Sequence, residues 1–148
     1  MNIHTLSLSV SAPRGAVFNF LADIENLPKW ATDWCESIAL SRGRWWALTA
    51  EGEMVVDFET SAGTGVIDLR AGPLPESMLL TPIRVVPLSA RRTLISITVI
   101  EAPDRGPEVF TQRCELWRAA LHGLLRRFGG GELHSQDAAP QLLELGLN

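Results

Sequence analysis

From Ile3 to Val10 the side chains alternate strictly. His4, Leu6, Leu8 and Val10 fall on one face, and Ile3, Thr5, Ser7 and Ser9 on the other. A period of two predicts a half-buried strand. The period then changes. Val17, Phe18, Leu21 and Ala22 recur at helical spacing, with Ser11 as a candidate N-cap and Pro13 in the first turn. Pro28 interrupts that helix and suits the start of a second short one, PKWATD.

Between Trp34 and Val99 the pattern becomes one short strand after another. WCESIAL, RWWALTA, EMVVDFET, TGVIDLR, SMLLTPIRVVPL and TLISITVI are rich in β-branched or aromatic residues and bounded by turn residues. The links SRG, EGE, SAGTG, AGPLPE and SARR are short, which predicts an antiparallel meander. Pro82 sits inside one of these patterns, so that strand should be an edge, bulged or broken there. Residues 107–128 form the longest helical pattern. Phe110, Cys114, Trp117, Leu121, Leu124 and Phe128 make its apolar stripe, with Arg113, Arg118, His122 and Arg126 mostly off it. Gly129 to Gly131 stop the helix.

The expected architecture is α+β. About seven antiparallel strands curve around one long C-terminal helix, with two short helices between strands 1 and 2. Residues 1–128 are expected to form a single domain and 129–148 a loose tail or small docked turn. One helix rarely fills the hollow of so wide a sheet, so an internal, mostly apolar cavity is expected.

Composition narrows the partners. The chain has 148 residues, a net charge of −4 and a pI of about 5.3. Its arginines are scattered apart from Arg91–Arg92 and Arg126–Arg127, and no basic stripe suggests nucleic acid. The opening MNIHTLSLSVSAP lacks the charged and apolar regions of a signal peptide. No run of about 20 apolar residues predicts a membrane span. A cytoplasmic protein, monomer or homodimer, is the expectation. Two cysteines build no disulfide framework, and three histidines, His4, His122 and His134, have no metal-ligand spacing. No metal or other cofactor is expected.

The order of elements, and SAPRGAVFNFLADIENLPKWA in particular, resembles the START-like superfamily with the helix-grip fold. That superfamily includes Bet v 1-like allergens, polyketide cyclase/dehydrase proteins and lipid-transfer domains. The likeness runs over residues 3–128. A closer likeness is to small bacterial proteins of the superfamily with a GVLD strand followed by a P-RVV strand. Here these read GVID, Gly65 to Asp68, and PIRVV, Pro82 to Val86. Such proteins commonly carry a histidine after the aspartate, where this chain has Leu69. An acid–base role for that histidine does not transfer. The resemblance implies a fold that hosts carriers, cyclases, hydrolases and co-chaperones alike.

Candidate site residues are of three kinds. Asp68 and Arg84 are ionisable residues inside apolar strand runs. Should their strands adjoin, they form either a structural pair on the solvated face or a polar contact for a ligand. Glu36 shares parity with Trp34 and Ile38 and is expected inward, whereas Asp57 is expected on the solvated face. Phe110, Cys114, Trp117 and Leu121 on the long helix are expected to form a cavity wall, with His4 at one end. Cys35 and Cys114 read more simply as buried packing. Trp30, placed by the resemblance at the cavity mouth, and Trp34 are further contact candidates. Trp45 and Trp46 must face opposite sides of their strand.

Three functions follow as expectations. The first is binding of a small hydrophobic or amphipathic molecule, lipid- or polyketide-like, with Asp68 and Arg84 as the polar contact. The second is a cyclase/dehydrase-type enzyme acting on a ketide-like chain. The third is a co-chaperone-like protein-interaction domain.

Overall fold

The computed structural model describes residues 1–135, for Glu132, His134 and Ser135 the backbone alone; most of the expected tail, residues 136–148, lies outside the described residues. Strand β1 spans Ile3–Val10, helix α1 Arg14–Ala22 and the short helix α2 Leu27–Trp30. Six strands follow: β2 Cys35–Ser41, β3 Arg44–Thr49, β4 Gly52–Ser61, β5 Val66–Gly72, β6 Leu79–Ser89 and β7 Arg92–Ile100. Helix α3 spans Pro107–Phe128, and β8 Glu132–Ser135.

Among the described residues all strands join one antiparallel sheet in the order β2-β3-β4-β5-β6-β7-β1-β8. The meander β2 to β7 arises because each link is short enough to return the chain beside itself. β1 closes on β7 over its full length, from Ile3 opposite Ile100 to Val10 opposite Thr93. The seven expected strands and the long helix are present. β8 adds an eighth strand on the outer side of β1, so the segment just after the glycines extends the sheet.

α3 lies against the inner face of the sheet because its apolar stripe needs cover. Cys114, Trp117, Leu121 and Leu124 are buried there with Leu6, Leu8, Ile67, Leu69, Ile83 and Val99. Gly129 takes a positive φ of 72° and donates its N–H to Leu125 O at 2.7 Å, ending the helix. Ser11 does not cap α1. Its hydroxyl donates to Gly130 O at 3.0 Å, and Pro13 occupies the cap position without a side-chain bond. The hydroxyl is engaged by the turn after α3.

Two backbone irregularities shape the interior. The β6–β7 pairing begins only at Ile83 opposite Ile97, so Leu79 to Pro82 pair with β5 alone. Proline has no N–H to offer β7, and the ladder starts just beyond it. A bulge between Cys35 and Ser37 inserts Glu36 as an extra residue in β2. Cys35 and Ile38 therefore both face the core, and Glu36 is exposed rather than inward. Strict alternation fails at that one residue.

Candidate functional site

A charged pair in the interior joins α3 to the β3–β4 turn. Arg113 Nη2 donates to Glu51 Oε1 at 2.6 Å, and Arg113 Nε to Glu51 Oε2 at 3.3 Å. The fork is two-pronged, the geometry that suits guanidinium to carboxylate. Trp34 Nε1 adds a third donor to Glu51 Oε2 at 3.0 Å. Arg113 Nη1 reaches back to Ile100 O, at 3.4 Å, on the strand end that β6 has left. The side chains of Arg113 and Glu51 are only 8% and 10% exposed.

The turn that holds Glu51 is built locally. Thr49 Oγ1 donates to Gly52 O at 2.6 Å and accepts from Glu51 N at 3.0 Å, while Ala50 N donates to Trp34 O at 2.8 Å. This fixes the carboxylate over the helix. Burial by itself raises the Glu51 pKa. The hydrogen bonds from Arg113 and Trp34, with the charges of Arg113 and Arg105, outweigh it and hold the carboxyl below its ordinary 4.5.

Behind the pair stand three indoles. The Trp34 and Trp117 rings lie 5.1 Å apart between centroids, and Trp30 and Trp117 5.9 Å apart. Trp30 Nε1 and Trp117 Nε1 are buried with no hydrogen-bond partner. A buried donor without an acceptor costs on the order of 1–3 kcal/mol. Trp34, Glu51, Met54, Thr81, Arg113 and Trp117 surround a cavity of about 20 Å³, with half-buried Leu79 at its edge. That space holds about one water molecule. The wide apolar cavity expected of this arrangement is nearly filled by its own aromatic side chains.

The candidate residues divide accordingly. Trp34 and Trp117 line this cavity, and Trp30 packs beside Trp117. Leu121 is fully buried core. Phe110 and Cys114 line a separate shallow groove with His4 and Arg118. Asp68 and Arg84 do meet, with Arg84 Nη1 donating to Asp68 Oδ1 at 2.8 Å. Yet Ile67, Leu69, Ile83 and Val85 take the core side of β5 and β6, which puts the pair on the convex face. Period-two alternation makes both strands turn the same way, so the pair does not reach the cavity. Asp57 is exposed, and Trp45 lines an outer groove beside Leu40. Cys35 is core; burial lifts its thiol pKa to about 11, with a backbone hydrogen bond from Ser37 to the sulfur lowering it in part, and its Sγ lies 3.4 Å from Ser37 O. Among the described residues no group of three His, Cys, Asp or Glu could hold a metal ion, and no helix is long and apolar enough to cross a membrane.

The sequence reading missed Glu51 and Arg113. Glu51 looked like turn punctuation. Arg113 carried a signal: three residues after Phe110 and four before Trp117, it lies on the buried side of α3. An arginine there requires a buried acid.

No protein-family model and no curated protein matches the chain. Solved structures do. A START superfamily protein from Mycobacterium smegmatis matches at TM-score 0.60 and 16% identity, over 84% of this chain and 97% of its own. The ZhuI aromatase/cyclase from Streptomyces sp. R1128 matches at TM-score 0.61 and 19% identity, over 85% and 93%. The Aha1 dimer from Colwellia psychrerythraea matches at TM-score 0.65 and 13% identity, over 86% and 96%. The chain has the START-like helix-grip fold. In this START-like frame the Glu51–Arg113 pair sits between the gripped helix and the sheet, at the open end of the β6–β7 ladder.

Proposed function

We propose that the protein binds a small amphipathic molecule between sheet and α3, with the Glu51–Arg113–Trp34 cluster as its polar contact. The observation that carries this reading is the buried ion pair on the same small cavity as Trp117, whose buried indole N–H has no acceptor. Plain packing would be served as well by apolar side chains, because a buried pair seldom repays its desolvation. A ligand carrying a carbonyl, hydroxyl or carboxylate oxygen gives Trp117 its acceptor and gives Arg113 a further one beside Glu51 and Ile100 O. Its apolar body would replace contacts now made by Trp34, Met54 and Leu79.

Small-molecule sites usually measure about 300–1,000 Å³. The cavity of about 20 Å³ is therefore a closed state that binding must open. The segment Leu79 to Pro82 supports such opening, because it is hydrogen-bonded as strand on one side only. Closure lowers apparent affinity by the fraction of open molecules. Binding is favoured over proton transfer. A general base works best with a pKa near the operating pH, and Glu51 is held below 4.5.

The closed interior also favours one second reading, a protein-interaction domain acting through its surface; the Aha1 dimer shares the fold. Titration with 1-anilinonaphthalene-8-sulfonate and a series of alkyl carboxylates and phenols, read by tryptophan fluorescence, decides between them. Saturable quenching that Arg113→Met abolishes supports the small-molecule reading. Absence of saturation across the series, with no small molecule retained in native mass spectra of protein from its own host, overturns it.

A further inference from the structure

The sheet ends on β2, and among the described residues nothing pairs with its outer side. Exposed edges normally carry lysine, proline or an inward charge that blocks further pairing. β2 reads Cys35-Glu-Ser-Ile-Ala-Leu-Ser41; its bulge lies at Glu36, and the stretch from Ser37 to Ser41 beyond it is regular and has none of these. Leu40 is 60% exposed, and a groove of about 680 Å³ beside it is lined by apolar Pro28, Ile38, Leu40 and Trp45 together with charged Glu25, Lys29 and Glu36.

The hairpin turn fixes which backbone groups face outward. Arg42 and Gly43 both have positive φ, 54° and 78°, which makes a two-residue turn of the type that joins twisted strands. Ser41 and Arg44 then form the closing hydrogen-bonded pair, and Ala39–Trp46 the next. The N–H and C=O groups of Ile38 and Leu40 point away from β3, toward the free edge.

The edge is complementary to itself. In an antiparallel pairing centred on Ala39, Ile38 meets Leu40 and Ser37 meets Ser41, each twice, and beyond each end the bulge residue Glu36 of one copy lies toward the turn residue Arg42 of the other. The outward-facing Ile38 and Leu40 become hydrogen-bonded partners. Ala39 meets its own copy at the close, non-bonded position, where a small side chain fits. Opposite charges close both ends. We propose that two copies of this chain join β2 to β2 across a two-fold axis through Ala39, making one continuous sheet. The contact covers Leu40 and Trp45 and leaves the Glu51–Arg113 cavity untouched, so it stands independently of the small-molecule reading.

Sedimentation equilibrium of the full chain tests this, with circular dichroism confirming the fold of each variant. The wild type should show twice the 16.2 kDa chain mass. Leu40→Lys, which blocks the edge, should weaken dimerisation by about tenfold or more. Glu36→Arg and Arg42→Glu should each weaken it, and the double exchange should restore it, since the swapped charges meet again. A wild type that stays monomeric up to about 1 mM overturns the proposal. A dimer indifferent to Leu40→Lys, or a double exchange that restores nothing, overturns it too.

Discussion

Arg113 in the second turn of α3 and Glu51 in the β3–β4 turn are joined by a two-pronged hydrogen bond, 2.6 Å at its shorter contact. The pair ties the gripped helix to the far half of the sheet, across 62 residues of chain. Trp34 holds the same carboxylate from a third direction. The START-like frame thus has a polar anchor in a helix–sheet contact built largely from apolar side chains.

Removing one partner leaves the other charge buried and unpaired. Arg113→Met or Glu51→Leu alone should therefore destabilise the protein by about 3–5 kcal/mol. The double variant should recover most of that loss, because an apolar pair in the same space carries no desolvation cost. Urea unfolding midpoints of the four proteins, treated as a double-mutant cycle, measure the coupling. Additive losses would show that the two side chains act separately.

The same pair sets an acid limit. Glu51 has its folded pKa lowered below 4.5, so the unfolded state binds the extra proton between the two values. The stabilisation it gives is present above about pH 4.5 and is lost as pH falls through the lower, folded value. Unfolding free energy should rise with pH across that acid window in the wild type. The window's slope should shrink in Glu51→Gln, which has no carboxyl to titrate. Equal slopes in urea melts from pH 3 to 6 would remove Glu51 from the acid response.

The fold was legible because period, turn chemistry and helix stops agreed along most of the chain. The helix limits Pro107 and Phe128 follow from an N-terminal proline and three glycines. Pro82 announced the end of the β6–β7 ladder. The site was legible only in its indoles. Glu36 was misplaced because a bulge adds one residue and shifts every later parity. Asp68 and Arg84 were matched to each other, but which face of a curved sheet is concave is decided by the helix, not by the strands. Glu51 gave no local signal, since a carboxylate in a turn is ordinarily solvated.

The Asp68–Arg84 pair is a useful contrast. Arg84 is 41% exposed and Asp68 16%, on the convex face. Exposed pairs contribute about 0–1 kcal/mol, with screening by salt. Asp68→Asn should shift stability by no more than that and leave ligand-induced tryptophan quenching unchanged. Loss of quenching in Asp68→Asn, with the fold intact, would return the polar contact to this pair.

Cys35 offers a test of how tightly the β2 end of the interior is closed. Its side chain is fully buried beside the bulge, and its thiol pKa is raised to about 11, chiefly by burial. At neutral pH roughly one such thiol in ten thousand is ionised, and the thiolate is the reactive form. Iodoacetamide should therefore leave Cys35 unmodified in the native protein at pH 7. Labelling should appear as urea opens the fold, following the same midpoint as circular dichroism. Peptide mass spectrometry separates Cys35 from Cys114. Rapid labelling of Cys35 without denaturant would mean that β2 opens locally at its bulge, and a thiol reached that way would report opening of the edge rather than of the whole domain.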